Sequence, residues 1–148
     1  MATASDRLRR YLDDELGECR DEDVERRLQE LGTLESALGT ARVDAELDVL
    51  SALANETRYT LVRVLVAAAE ELCVCELNAV VDVSESGLSH ALSDLVDAGL
   101  LEGRKDGRWK KYRATNRAVA LVTVIEGSVD AVGERGDDAE ARADGGAR

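Results

Sequence analysis

The sequence predicts a mainly α-helical fold with one small β-hairpin. Apolar residues recur at helical spacing along most of the 148 residues, and only one short segment after Gly99 has the character of two paired strands. The chain contains no Phe and no Pro, and aromatic residues make up 3% of it. The core must therefore consist of Leu, Val and Ala, a composition that favours helices.

Residues 1–41 are predicted to form an N-terminal helical extension. We expect one amphipathic helix over residues 5–18 and a second over 21–38, which is interrupted at Gly32 and ends near Gly39. The segment is highly charged and sparse in apolar residues. Because it cannot bury a core by itself, it must pack on the main domain or on another subunit.

Residues 42–132 are predicted to form the main domain, which begins with two helices. The first carries an apolar face up to Ala54, and Asn55 is a good N-cap for the second. The alanine run at 67–69 ends that second helix, just before a segment that contains two cysteines.

A helix-turn-helix is predicted next. Residues 75–81 form a short helix, and Ser84 or Ser86 caps a longer one for which Gly99 is the C-cap. Two short helices joined by a tight turn are typical of this motif, whose second helix reads DNA bases. The candidate base-reading residues are Ser84, Ser86, Ser89, His90 and Ser93.

A basic β-hairpin directly behind that helix has the position of a wing. Its strands are expected to meet at Asp106-Gly107 in a type I′ turn. From Arg104 to Arg117 the segment has a net charge of +6, in a chain whose net charge is −12. The alternative is an ordinary solvated face, but such an island in an acidic chain favours contacts with the phosphates of double-stranded DNA. The candidate contacts are Arg104, Lys105, Arg108, Lys110 and Lys111.

The final predicted helix covers residues 116–132 and carries a long apolar stripe. A small domain cannot bury this stripe alone, so we expect a homodimer that forms through it. The candidate interface residues are Leu121, Val122, Ile125 and Val129. Residues 133–148 contain no core-forming residues and are expected to be a disordered acidic tail.

Four segments of the main domain occur in a characteristic order. They are Leu53–Arg58, Glu71–Leu77, Ser84–Ser89 and Gly107–Arg113. Together they resemble the ArsR/SmtB family of metal(loid)-sensing winged helix-turn-helix repressors over about residues 42–132. The resemblance implies a homodimer that binds operator DNA when empty and releases it when an ion binds. Arsenic sensors of this family often have a third cysteine where this chain has Asn78, so a third ligand must come from elsewhere or the site is two-coordinate.

Cys73 and Cys75 are the candidate ligands for the inducing ion. Thiolates select soft ions, here As(III), Sb(III), Cd(II), Pb(II) or Zn(II), and no permanent cofactor is expected. Residues two apart on a regular helix point about 200° apart, so Cys73 must precede the first turn, or ion binding must unwind that turn. The acidic neighbours of the pair are expected to raise the pKa of both thiols.

Cys19 is the remaining sulfur and the candidate third ligand. Resemblance supports this role, because the cadmium and lead sensors of the family carry extra cysteines in an N-terminal arm. The alternative role for Cys19 is packing on the amphipathic extension. An odd number of cysteines argues against a disulfide framework.

The sequence therefore predicts a metal(loid)-responsive transcriptional repressor. An enzyme is not expected, because the chain has one His, no nucleophile motif and no Gly-rich phosphate loop. Two alternatives remain open: a redox-sensing regulator that oxidises the same cysteines, and a dimeric module that does not bind DNA.

Composition also indicates where the protein works. No apolar run approaches the roughly 18–20 residues of a membrane span, and no signal peptide is evident, so we expect a cytoplasmic protein with no membrane partner. The excess of carboxylates favours a surface adapted to halophilic conditions, where salt screens the repulsion between them. The alternative is an ordinary acidic protein.

Overall fold

The computed structural model describes residues 1–143, with side chains to residue 133. Within that range the elements are α1 (Ala4–Leu16), α2 (Asp21–Leu38), α3 (Thr40–Leu53), α4 (Glu56–Ala68), β1 (Leu72–Cys73), α5 (Val74–Val80), α6 (Glu85–Asp97), β2 (Leu101–Asp106), β3 (Trp109–Ala114) and α7 (Asn116–Ala143). In the described part of the chain, none of the helices has both the length and the apolar character needed to cross a bilayer. The chain divides into two compact units, Met1–Glu46 and the residues from Leu47 onward.

The first unit contains α1 and α2. Thr3 caps α1 through its hydroxyl, which accepts the N–H of Asp6 at 3.2 Å, and an ion pair between Arg9 and Asp21 joins the two helices. The expected interruption at Gly32 is wrong, because α2 continues through this residue. A single glycine in an exposed helix costs only about 1 kcal/mol, which is too little to end the helix. Exposed leucines line α2, namely Leu28, Leu31, Leu34 and Leu38.

The second unit has a core of Leu, Val and Ala, as the composition predicts. The buried side chains come from helices α3 to α7, from strand β2 and from two residues that adjoin these elements, Val81 and Leu100. The buried side chains are Ala52, Leu53, Leu61, Val62, Leu65, Leu77, Val81, Leu88, Ala91, Leu92, Leu95, Leu100, Leu101, Ala118 and Val122. Burial of each large aliphatic side chain stabilises the domain by about 1.5–3 kcal/mol. Because α5 and α6 both contribute such side chains to this core, packing holds them together as a helix-turn-helix.

The ends of the second helix of this motif, α6, follow from its capping residues. Of the two candidate caps, Ser84 is the one used, and its Oγ accepts the N–H of Gly87 at 3.1 Å. The expected cap at Gly99 is displaced by one residue, because Ala98 is the C-cap. Gly99 follows in the left-handed region with φ +71°, which lets the N–H of Leu100 reach the carbonyl of Leu95 at 3.0 Å.

A three-stranded antiparallel sheet of order β1-β3-β2 replaces the expected two-stranded hairpin. The additional strand, β1, pairs Leu72 with Tyr112 and Cys73 with Lys111. The wing, residues 101–114, consists of β2, β3 and a loop of two residues, because Asp106 pairs with Trp109.

The expected type I′ turn at Asp106-Gly107 is wrong. The loop residues are Gly107 and Arg108, and only Gly107 has a positive φ, at +61°. A type I′ turn needs a positive φ at both positions, whereas a type II′ turn needs a glycine only at the first.

Helix α7 follows the wing and presents two different faces. Ala118 and Val122 are buried in the core of the same chain. The prediction that Val122 lies at the dimer interface is therefore wrong, because this side chain is not exposed on the helix surface. Leu121 and Ile125 are half-buried, while Val124 and Val129 are 69% and 64% exposed. The helix continues to Ala143, into the segment for which we expected a disordered tail, and residues 144–148 lie outside the described residues.

Candidate functional site

Cys73 occupies a junction between the sheet and the helix-turn-helix. It is the last residue of β1 and the N-cap of α5, with extended backbone angles of φ −70° and ψ 150°. Its Sγ accepts the N–H of Cys75 at 3.3 Å, and its own N–H donates to the carboxylate of Glu76 at 2.9 Å. This is a capping box in which a sulfur takes the place that a hydroxyl usually has.

The position of Cys73 decides between the two geometries that the spacing left open. Cys73 precedes the first turn of α5. The rule that side chains two residues apart on a helix point about 200° apart therefore does not apply to Cys73 and Cys75. Cys73 is buried at 9% exposure, whereas Cys75, in the first turn, is exposed. The two sulfurs therefore lie at the same helix terminus, one facing the interior and the other accessible to solvent.

Both cysteines line one cleft, which we call the cysteine cleft. It has a volume of about 510 Å³ and is formed by α5, the start of α6 and the tip of the wing. Its lining residues are Cys73, Val74, Cys75, Asn78, Glu85, Leu88, Arg108, Trp109 and Lys110. A group bound to the two sulfurs would thus lie beside both elements that are expected to contact DNA.

The two thiols differ in pKa. Hydrogen bonds from the Cys75 side chain and from its backbone N–H lower the pKa of Cys73. The same side-chain hydrogen bond, together with desolvation, raises the pKa of Cys75. The expectation that acidic neighbours raise both pKa values is therefore wrong for Cys73, because the hydrogen bonds at the helix start outweigh the charge of Glu76.

Cys19 lies in the first unit, after the end of α1. It is half-buried, and its backbone N–H donates to Asp13 at 2.8 Å. Partial burial and the charge of Asp13 raise the pKa of this thiol. Within the residues that the structure describes, no three His, Cys, Asp or Glu side chains of one chain are grouped so that they could hold a metal ion.

The residues predicted to read bases are all exposed along α6. Ser86, His90 and Ser93 share the face opposite the buried Leu88 and Leu95, at helical spacing. Ser84 has a structural task as well, because its hydroxyl caps the helix.

Two of the five wing cations predicted to contact DNA are held by acidic partners. Arg104 binds the carboxylate of Glu71 at 2.7 Å, and Lys111 lies 3.0 Å from Asp106. These contacts lower the pKa of both Glu71 and Asp106, mainly through hydrogen bonds to the cations.

The other three of these five cations lie toward the tip of the hairpin. Among the described residues, Lys105, Arg108 and Lys110 have no acidic partner within 4.0 Å. Arg108 stacks over the ring of Trp109 with its guanidinium carbon 5.0 Å from the centroid. The positive charge available for a polyanion is therefore concentrated at the tip of the wing.

Sequence patterns missed the contacts that connect the cysteines to the wing. Glu71 binds Arg104 across the sheet, and Trp109 lines the cysteine cleft. No local signal could have revealed these contacts, because β1 has only two residues and its partner strand lies far along the chain.

Comparison with known proteins agrees with this architecture. The family described as "Bacterial regulatory protein, arsR family" matches residues 55–102. The chain is 52% identical to the "Putative arsenical resistance operon repressor ArsR" of Halobacterium salinarum, over 85% of this chain and 98% of that one. It is 40% identical to the arsenical resistance operon repressor of Escherichia coli, over 53% of this chain and 67% of that one.

Solved structures share the fold. One is the homodimeric winged helix-turn-helix DNA-binding domain (fragment 1–100) of a Mycobacterium bovis protein, with a TM-score of 0.57 and 27% identity. The match covers 64% of this chain and 87% of that one. The fold, the family and these relatives thus define a DNA-binding transcriptional regulator rather than an enzyme. The chain belongs to the arsR family, which confirms the resemblance seen in the sequence.

The unequal thiols give a titration test, carried out in a Cys19→Ser background so that one thiol remains. In Cys75→Ala the pKa of Cys73 should rise, because the thiol loses its hydrogen bond with the Cys75 side chain. In Cys73→Ala the pKa of Cys75 should fall, because its proton is no longer shared with a sulfur. Ultraviolet absorbance of the thiolate against pH measures both, and a Cys73 that titrates above Cys75 would contradict the geometry.

Proposed function

We propose that this protein is a metal(loid)-responsive repressor that binds operator DNA as a homodimer. A thiophilic ion, with As(III) or Sb(III) as the first candidates and Cd(II) as the next, binds Cys73 and Cys75 and releases the DNA. The observation that carries the proposal is the cysteine cleft, which is bounded by α6 on one side and the wing on the other. The names of the Halobacterium and Escherichia relatives, which refer to arsenical resistance, support the choice of ion.

The cap of α5 is the first element that the ion disturbs. In the free protein Cys73 Sγ accepts the N–H of Cys75. An ion bound to both sulfurs uses the same lone pairs and draws Cys75 toward Cys73. Loss of a helix cap costs about 1 kcal/mol, so the first turn of α5 loosens. Leu77 of this helix is fully buried in the core that supports α6, which carries the movement to the base-reading helix.

The wing is the second element that the ion disturbs. Cys73 pairs with Lys111 of β3, and Glu71, two residues before the cysteine, holds Arg104 of β2. A displacement of residues 71–73 therefore pulls on both strands of the wing. Since α6 and the wing must fit DNA together, a change in their relative position weakens binding without blocking either surface.

Dimerisation through α7 is part of the proposal. Val124, Val129 and Val132 are each more than 60% exposed, and the half-buried Leu121 and Ile125 lie beside them. An apolar stripe of this length on an otherwise charged surface favours a symmetric partner helix. Two winged helices held together in this way present two α6 helices to a palindromic operator.

A redox regulator remains the second candidate because of one observation. The lowered pKa of Cys73 increases its thiolate fraction, and the thiolate is the form that oxidants attack. Release of operator DNA by hydrogen peroxide, with no release by As(III), would favour this candidate over the ion sensor.

Replacement of either cleft thiol should separate DNA binding from ion response. Cys73→Ser and Cys75→Ser should bind operator DNA with affinity close to wild type, because neither sulfur is placed to contact DNA. Both should fail to release it when As(III) is added, since one sulfur cannot chelate the ion. Fluorescence anisotropy of labelled operator, titrated with As(III), measures both properties.

Cys19→Ser is the matched control for these two variants. If the cleft pair suffices, this variant responds like wild type. If Cys19 supplies a third sulfur, the As(III) concentration needed for release rises by at least an order of magnitude, or about 1.4 kcal/mol. Full induction of the Cys73→Ser, Cys75→Ser double variant by As(III), Sb(III) and Cd(II) would reject the ion-sensor function.

Charge removal at the wing tip should weaken binding to all DNA. Arg108→Gln with Lys110→Gln should lower affinity for operator and random duplexes alike, and reduce the salt slope by about 0.9 for each lost phosphate contact. Arg104→Gln should have a smaller effect, because Glu71 already engages this cation. His90→Ala should instead alter the preference among sequences. Unchanged affinity in the tip variant would exclude the wing as the docking surface.

Aspartate substitutions on α7 test the dimer. Val124→Asp with Val129→Asp should give monomers that bind operator weakly, because two buried charges at the interface cost several kcal/mol each without partners. Thr123→Asp, which adds a charge on the opposite, exposed face of the same helix, is the control and should remain dimeric. Sedimentation velocity at micromolar concentration distinguishes them. A monomeric wild-type protein would contradict the proposal.

A further inference from the structure

We infer that the ion in the cysteine cleft is completed by a small anionic thiol from solution, so that the protein senses As(III) together with a carboxylate-bearing thiol. This inference rests on the proposed function, since it requires that Cys73 and Cys75 bind the metalloid. It adds a second ligand class, a low-molecular-weight thiol acid, and assigns Arg108 and Lys110 to its carboxylate.

The first argument is the number of ligands available. As(III) is trivalent and strongly prefers sulfur, so a pair of cysteines leaves one bond to another group. Asn78 also lines the cleft, and an amide is a poor ligand for so soft an ion. In the described part of a single chain, no cluster of three His, Cys, Asp or Glu side chains supplies the missing bond.

The second argument is the shape and charge of the cleft. A volume of about 510 Å³ far exceeds the space of one hydroxide and lies within the range of small-molecule sites. Arg108 and Lys110 line it without an acidic partner within 4.0 Å among the described residues, and Glu85 is the acid that lines it. The two cations give the cleft a net positive lining, which suits an anionic group bound beside the ion.

The third argument is the apolar part of the lining. Val74, Leu88 and the half-exposed ring of Trp109 contribute it. A thiol acid has an aliphatic stem between its sulfur and its carboxylate. Because the cysteines, Arg108 and these apolar groups line the same cleft, such a molecule would have its sulfur at the ion, its stem against the apolar groups and its carboxylate beside the cations.

The reaction balances without any change of oxidation state. Arsenous acid exchanges its three hydroxyl groups for three thiolate sulfurs, two from Cys73 and Cys75 and one from the small thiol. Each thiol proton leaves with a hydroxyl group as water, so three As–O bonds break, three As–S bonds form and three water molecules are released.

A charge series of small thiols tests this inference. We would measure As(III) binding to DNA-free Cys19→Ser protein by equilibrium dialysis with 3-mercaptopropionate, 2-mercaptoethanol or cysteamine, which are anionic, neutral and cationic. The anionic thiol should increase As(III) affinity over the neutral one by at least about fivefold, or about 1 kcal/mol. The cationic thiol should give the weakest binding.

The different reactivities of the three thiols cancel when variants are compared. The quantity compared is the ratio of the As(III) affinity with the anionic thiol to that with the neutral thiol. In Arg108→Gln with Lys110→Gln this ratio should fall close to that of the free thiols in solution, because the two cations are removed. Lys105→Gln with Arg113→Gln removes the same charge from wing positions outside the cleft and should keep the wild-type ratio. An equal ratio in all three proteins would overturn the assignment of Arg108 and Lys110.

Native mass spectrometry gives the composition of the complex. The expected mass per chain is the protein plus one arsenic and one thiol acid, less three hydrogens. A complex that holds arsenic without the thiol, at saturating 3-mercaptopropionate, would overturn the inference while leaving the proposed function intact. No arsenic in wild-type protein under any condition would instead reject the proposed function itself.

Discussion

The antiparallel pairing of β1 with β3 is the interaction on which the site depends. It spans only the pairs Leu72 with Tyr112 and Cys73 with Lys111, yet it connects the start of the helix-turn-helix to the wing. Because Cys73 also caps α5, one residue belongs to the sheet and to the helix at once. The Glu71–Arg104 ion pair adds a second connection, from the residue before β1 to strand β2 on the far side of β3. Without this pairing, the cysteines would lie near α6 and the wing, the elements proposed to contact DNA, but no backbone hydrogen bonds would connect them to the wing.

Charge is distributed in the wing so that a strongly basic hairpin remains stable in an acidic chain. Arg104 and Lys111 are neutralised by Glu71 and Asp106, and Arg113 binds Glu102. These exposed pairs each contribute little to stability, but they relieve repulsion along the strands. The unpaired cations are left toward the tip, the part of a hairpin that can approach a phosphate backbone. The charge of the segment as a whole, read from the sequence, therefore overstates the charge that is free to act.

Much of the fold could be predicted from local signals, because the apolar spacing and the capping residues of a helix lie within a short stretch of sequence. Apolar spacing located α4, α6 and α7, and the side chains of Asn55 and Ser84 cap their helices as expected. The failures share a different cause. Strand β1 has two residues and no pattern of its own, and its partner lies far along the chain, so only tertiary structure reveals it. Val122 belongs to an apolar stripe, but spacing alone does not tell which side of a two-faced helix meets the core. The lowered pKa of Cys73 likewise depends on hydrogen-bond geometry, which composition does not contain.

The position of the single tryptophan has a practical consequence. Trp109 is 48% exposed, is covered by the Arg108 guanidinium and borders the cysteine cleft. Its indole therefore senses the polarity of the cleft and the electrostatic surroundings of the wing tip at the same time. The intrinsic emission of the unlabelled protein is a built-in optical probe of this one location, and filling of the cleft and approach of a polyanion both change the solvent around the same fluorophore.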